Sequence, residues 1–283
     1  GLFTILIFKP DKILTSGGPA SAHLAGLIVG KVFALPVIVE LQDPLSGEGI
    51  GRNSQARGWL YKVEKYILKN ATKTVYVTKL AADFAKREFG IGNVQAIYPG
   101  SKNFGLKYRR NKNKSIRIIH LGSLYSTRNF DSIIKALDIL ILSNKINIDE
   151  VELINLGHVS EHERSKISNK LYVKILSPIP RKEAIKYASE CDISLLIQHI
   201  DKRSNVTIPY KTYDYLNIGN HIMGLLNSEE LTKMIVHYGH VAIGIKDIHS
   251  ICQYILEIKN RKDNPGNSEQ IDYVKQSEIL VEL

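Results

Sequence analysis

The chain has 283 residues, 44% of them hydrophobic, and a formal net charge of +10 at pH 7. That is enough apolar content to bury a core, in one large or two ordinary domains. The basic balance suits acidic partners (nucleic acid, anionic lipid, phosphorylated ligands) without choosing among them. Two cysteines in apolar surroundings, Cys191 and Cys252, exclude a disulfide framework and a ligand-spaced metal site, and fit a reducing cytoplasm. No secretory signal is expected. The run "GLIVGKVFALPVIVEL" is too interrupted, by Lys31 and Pro36, to span a bilayer.

The elements alternate along the chain. Short β-branched-rich runs at 11–16, 36–41 and 72–78 read as strands, each followed by a helical stretch, roughly 20–33, 56–69 and 79–88. After Gly100 the pattern breaks into "KNFGLKYRRNKNKS", a basic, Asn-rich segment that reads as an interdomain linker over 105–115. Strands at 116–123, 150–157, 171–176, 192–198 and 221–226 follow. Helices at 128–142, 160–168, 181–189, 209–218, 229–237 and 246–260 separate them. Continuous apolar strands between amphipathic helices imply parallel sheets covered on both faces. The expectation is α/β: two doubly wound, Rossmann-like domains at 1–104 and 116–262, a C-terminal helix or tail at 263–283, and a ligand crevice at the carboxyl ends of the strands.

The stretch "TIPYKTYDYLNIGNHIMGLL" carries the densest signal. Thr207 suits a helix cap, Pro209 the first turn, and Gly219 the left-handed position that ends the helix. The amino end of that helix, with its unpaired N–H groups and Lys211 in the first turn, reads as an anion site. Asp214 lies one turn on, where a carboxylate would accept hydrogen bonds from a ribose diol; an i,i+3 surface ion pair explains the same spacing. A second loop, "HLGSLYSTRNF", leaves its strand through Gly122 and reaches Arg128 at a helix start. Glycine admits a ligand close to the backbone, and an arginine fork matches phosphate oxygens. Two cationic helix starts at one edge of one sheet suggest a diphosphate clamp.

At this point the chain resembles the GT-B-fold glycosyltransferases of family 4, across nearly its whole length and in order. "DKILTSGGPASAHLAGLIVGKVFALPVIVELQDP" and "LKNATKTVYVTKLAADFAKREFG…VQAIYPG" are similar to segments of that family's acceptor domain. "IIHLGSLYSTRNFDSIIKAL", "SPIPRKEAIKYASECDISLLI" and "IPYKTYDYLNIGNHIMGLL" are similar to segments of its donor domain. The resemblance begins partway through the acceptor domain, so it implies an N-terminal domain lacking its opening unit, in a fragment or a degenerate member. The chain departs from the family at three places: Val206 where many members carry a glutamate, Ser123 where they carry an arginine, and Gln42-Asp43-Pro44 at the acceptor cleft.

What the resemblance implies is transfer of a hexosyl group from a UDP- or GDP-sugar to a saccharide or lipid-linked acceptor with retention, in bacterial surface polysaccharide synthesis. Arg128 and Lys211 would hold the diphosphate, Asp214 the ribose, and Gly122 and Ser123 would pass close to the phosphates. Pro178 and Ile179 would lie against the base, with Tyr210 in the same site. Asp43 is the candidate for an acceptor hydroxyl, although an aspartate before proline is also a turn former. No cofactor is expected, since paired cations neutralise a leaving diphosphate without a metal. His23 reads as a satisfied core histidine, while His120 and His158 sit at strand ends near the crevice. Lys62, Lys65, Lys69 and Lys73, at helical spacing, suit either an anionic membrane surface in peripheral attachment or a solvated face. Three rival readings stand beside the enzyme. An inactive nucleotide-sugar-binding or scaffold subunit is supported by Val206. A 2-epimerase lacks its acid–base set. Nucleic-acid binding lacks a recognition helix with interleaved basic and aromatic residues.

Overall fold

The computed structural model describes residues 7–46, 53–106, 115–201, 204, 206–260 and 271–283. They fall into two compact units, one comprising Gly1–Pro99, Asn205–Ile208 and Tyr273–Leu283, the other Gly100–Ser204 and Pro209–Asp272. Of the basic stretch read as a linker, 107–114 lie outside the described residues.

The first unit runs β1 (Ile13–Ser16), α1 (Ala20–Phe33), β2 (Val37–Leu41), α2 (Ser54–Asn70), β3 (Lys73–Tyr76), α3 (Lys79–Phe89) and β4 (Val94–Ala96). Its strands pair in sequence order, all parallel. The β-branched run "VIVEL" of β2 is almost wholly buried because it is covered on both faces. Helix α2 starts where the Asn53 side chain accepts from the Ala56 amide, and α3 where Thr78 does the same for Ala81. Val39, Leu41, Ile67, Leu68 and Tyr76 form the core between them, each burial stabilising by about 1.5–3 kcal/mol. Glu64 is buried there with both oxygens engaged: it accepts from the Leu45 and Ser46 amides, the Ser46 hydroxyl and the Tyr76 hydroxyl, at 3.2, 2.9, 2.5 and 2.6 Å. That carboxylate ties the loop after β2 to α2. His23 is buried on α1, donating from Nε2 to the Gly17 carbonyl at 2.7 Å and meeting the Thr15 hydroxyl at 2.8 Å.

The second unit runs β5 (Ile116–Leu121), α4 (Asp131–Leu142), β6 (Val151–Leu156), α5 (Glu161–Ile167), β7 (Val173–Leu176), α6 (Arg181–Ser189) and β8 (Ile193–Ile197). Then follow α7 (Lys211–Ile218), β9 (His221–Leu226), α8 (Glu229–His237), β10 (Val241–Gly244) and α9 (Ile248–Asn260). Its six parallel strands lie in the order β10-β9-β8-β5-β6-β7. Counted from β5 this is the 3-2-1-4-5-6 order of a doubly wound dinucleotide-binding sheet, and strand order reverses between β5 and β8. Ligands bind outside the carboxyl ends of the strands in such sheets, because the flanking connections part there. The last helix, α10 (Tyr273–Glu282), belongs to the first unit. Leu280 and Leu283 pack there against Ile38, Val75 and Ile97, and the Lys12 ammonium donates to the Val281 carbonyl at 2.8 Å.

Two boundaries move in ways that matter for the site. Helix α7 begins at Lys211 with Tyr210 as its cap residue and no capping side chain, not at Pro209 behind Thr207. The Thr212 and Tyr213 amides already donate to the Pro209 and Tyr210 carbonyls at 2.9 and 3.2 Å, so a tight turn precedes the helix and uses its first N–H groups. Helix α4 begins at Asp131, and Arg128 sits before it in a turn closed by hydrogen bonds in both directions between Tyr125 and Arg128, at 2.9 and 2.7 Å.

Candidate functional site

At the carboxyl ends of β5, β6 and β7 the second unit holds a cavity of about 320 Å³, a size at the lower end of small-molecule sites. Gly122 and Gly157 form its backbone wall, with Ser123 and His158 beside them; Pro178, Ile179 and Arg181 contribute from the start of α6, and Lys211 and Asp214 from α7. Both glycines have φ in the left-handed half of the map, +112° and +146°. A Cβ on Gly157 would stand 2.5 Å from the Gly122 carbonyl oxygen, and one on Gly122 would stand 3.5 Å from Lys211 Nζ. Glycine at these two places brings the chain together and leaves the ammonium facing bare backbone.

Lys211 is half-buried by residue, with its Nζ set deep, 2.5 Å from Nε2 of His120. His120 is fully buried on β5, its Nδ1 2.8 Å from the Asn155 Oδ1 on β6. Burial pushes the Lys211 ammonium well below its usual range, and the neighbouring Arg128 guanidinium pushes the same way. Burial likewise holds His120 well below the ordinary histidine value, with Lys211 and Arg128 adding to the depression and Asn155 opposing it. The Arg128 charge thus opposes that of the Lys211 ammonium. A cation held this way against desolvation is expected to gain from an anionic ligand.

Asp214 is buried on α7, one turn from Lys211, but it pairs elsewhere. Arg181 donates to its two oxygens at 2.6 and 3.3 Å, and the Ser101 hydroxyl donates to it as well. This takes the place of the solvated i,i+3 pair with Lys211 that the spacing also allowed. The Arg181 guanidinium lies 5.0 Å from the centre of the half-exposed Tyr210 ring, and its side chain is 47% exposed. Arg181 thus holds the carboxylate from the solvent-facing side of the pair, Asp214 itself being buried.

Six of the predicted residues, Gly122, Ser123, Pro178, Ile179, Lys211 and Asp214, line the one cavity. Arg128 acts on it through charge, and Tyr210 lies over Arg181 at its edge. Asp43 belongs to the first unit, exposed in the turn that leaves β2. Sequence reasoning missed Arg181 and Gly157. Gly157 had a signal, a glycine closing the strand "LINLG", whereas the Arg181–Asp214 pair spans 33 positions and had none. Val206 clusters with the first unit, where it packs on the core and its carbonyl accepts from Thr78 at 2.9 Å. The lysine row is interrupted: Lys62, Lys65 and Lys69 lie on α2, but Lys73 opens β3, because the helix ends at Asn70. No helix among the described residues is long and apolar enough to cross a membrane.

The paired parallel-sheet units define a GT-B-like α/β fold. No family model matches the chain, and no curated protein matches it in sequence. Solved structures do match. TarM of S. aureus, solved with fondaparinux, α-GlcNAc-glycerol and UDP, aligns at TM-score 0.63 and 11% identity over 99% of this chain and 55% of its own. HepE of Anabaena, solved with UDP-glucose, aligns at TM-score 0.63 and 14% identity over 95% and 77%. The sucrose-phosphate synthase of Thermosynechococcus elongatus aligns at TM-score 0.65 and 13% identity over 91% and 66%. The chain thus spans about half the length of TarM. At these identities the likeness is one of fold.

Proposed function

We propose that the protein is a glycosyltransferase that takes a UDP-sugar as donor and moves its hexosyl group, with retention, to a saccharide or lipid-linked acceptor. The observation that supports this most is the deep-set Lys211 ammonium. It is held by a neutral imidazole beside a second cation, at a glycine-walled cavity on the carboxyl edge of a doubly wound sheet. Nucleotide diphosphates suit that arrangement by charge and by the close backbone approach the glycines allow. Solved structures of the same fold contain UDP or UDP-glucose.

In this reading Lys211 and Arg128 take up the negative charge that grows on the diphosphate as its bond to the sugar C1 breaks, a stabilisation larger in the transition state than in the ground state. Asp214, freed from Arg181, accepts the ribose hydroxyls, and Pro178 and Ile179 flank the base. Asp43 meets the acceptor hydroxyl, and the Glu64 clasp holds the loop that carries it. Charge neutralisation by side chains makes donor binding independent of magnesium. Surface polysaccharide synthesis at the inner face of a bacterial membrane is the setting, with the exposed lysines of α2 toward anionic lipid.

A second reading, a subunit that binds the nucleotide-sugar without transferring it, is favoured by one observation. Val206, at the position where the resembling family carries a glutamate, is packed on the core of the first unit and offers no carboxylate. Calorimetry with UDP and GDP, each with and without EDTA, tests donor binding. Release of UDP from UDP-sugars in the presence of lipid-phosphate acceptors then decides between transfer and binding alone. Absence of nucleotide binding would sink both readings.

A further inference from the structure

The chain of contacts behind Lys211 fixes protons as well as atoms. The Gly157 carbonyl only accepts hydrogen bonds, so the Asn155 Nδ2 group 3.1 Å from it is the donor and the amide orientation is set. Oδ1 of Asn155 therefore faces Nδ1 of His120, 2.8 Å away, and that ring nitrogen carries the hydrogen. In the neutral ring Nε2 is then bare, and its lone pair points at Lys211 Nζ, 2.5 Å away. Burial depresses both groups, so the shared proton stays on the intrinsically more basic of the two, the lysine.

We propose that His120 is a positioning residue for the anion site: through the Gly157–Asn155–His120 relay it anchors the Lys211 ammonium by a neutral lone pair, leaving the positive charge uncompensated for the ligand. A carboxylate at the same place would anchor the lysine as firmly. It would also cancel the charge and repel a phosphate by bringing its own. An apolar residue would leave the charge intact but let the four-carbon stem move, at an entropic cost to each bound state. The imidazole does neither. Other groups that face it reinforce this role: Phe130 packs edge-on against the ring with centroids 5.8 Å apart, and Arg128 disfavours its protonation. Gly157 thereby serves twice, walling the cavity and setting the amide that sets the ring.

For its ligand the inference rests on the nucleoside diphosphate reading, but the tautomer and the contact exist without one, so the two can fail separately. The full chain with ¹⁵N-labelled histidine is examined at neutral pH. His120 is expected as the Nδ1–H tautomer, and its Nε2 resonance is expected to shift in Lys211→Met. An Nε2–H tautomer, or a resonance unmoved by that substitution, overturns the relay whatever the nucleotide does. UDP affinity is then measured for three variants whose folding is checked by thermal unfolding. His120→Gln, which keeps a neutral acceptor, is expected to stay within about threefold of wild type, while His120→Leu and His120→Glu each weaken binding by about tenfold or more. A His120→Glu chain that unfolds no lower than wild type yet binds UDP equally well would refute the role of the uncompensated charge. Equal binding by folded His120→Leu would refute positioning. If wild type binds neither UDP nor GDP while the resonances behave as expected, the donor reading fails and the relay stands.

Discussion

Replacing Lys211 with methionine separates two jobs that a deep-set cation can have. Methionine keeps nearly the length of the side chain and removes only the charge and its hydrogen bonds. If the ammonium contacts a diphosphate, the loss is one or more charge-assisted hydrogen bonds, about 1.5–3 kcal/mol, which is roughly a ten- to 150-fold rise in the dissociation constant for UDP. Stability of the empty protein is expected to move little, because two effects oppose. Taking a desolvated cation away from the Arg128 guanidinium stabilises the fold, while leaving the buried His120 Nε2 without its donor costs about 1–3 kcal/mol. With about 2–4 °C of melting temperature per kcal/mol for a unit of this size, a net change within a few degrees is expected. Calorimetry with UDP and differential scanning of the empty protein read the two quantities independently. A variant that binds UDP like wild type but melts far lower would show that Lys211 is a structural residue, and the reasoning from its charge would be wrong.

Gly157→Ala sets a methyl group against the Gly122 carbonyl at a backbone angle that side chains avoid. A cost of about 1–3 kcal/mol of strain, with UDP binding lost, is expected from parallel melting and titration, and wild-type values in both would refute the close approach. Glu64→Leu leaves two amides and two hydroxyls in the first unit without their acceptor, so that unit is expected to unfold several kcal/mol earlier in urea, on the scale of about 1–3 kcal/mol per orphaned group. An unchanged midpoint would remove the clasp from the argument. Burial pulls the His240 pKa down to about 4, so the folded state takes up its proton later than the unfolded chain does. The stability this group contributes is complete above pH 6.5 and is lost as pH falls from 6.5 toward 4, by about 3 kcal/mol in all. Melting curves across that window are expected to flatten in His240→Gln, and an identical slope would contradict the assignment.

Much of the fold is written in local periodicity, and the site only partly so. The helices at 20–33, 181–189 and 229–237 and the strand at 221–226 stand where the sequence puts them, because apolar spacing and terminal signals agree there. Strands β4 and β10 escaped notice: "VQA" and "VAIG" are three and four residues long, too short to show a period of their own, and each is a strand because it pairs with the one before it. Pro209 reads as a first helical residue, yet its carbonyl takes the Thr212 amide in a turn that precedes the helix. Lys211 and Asp214 were legible as a pair of chemically loaded residues one turn apart. What each touches was not, since His120 lies 91 and Arg181 33 positions away. Side-chain partners set by tertiary packing leave no periodic mark in a single sequence.

Diffraction from crystals of the chain grown with UDP and EDTA puts the central claim to its most direct test. Phosphate oxygens are expected within hydrogen-bonding distance, about 3 Å, of Lys211 Nζ, with the Arg128 guanidinium facing the same diphosphate. A nucleotide seated elsewhere, or a diphosphate turned away from both cations, would contradict it.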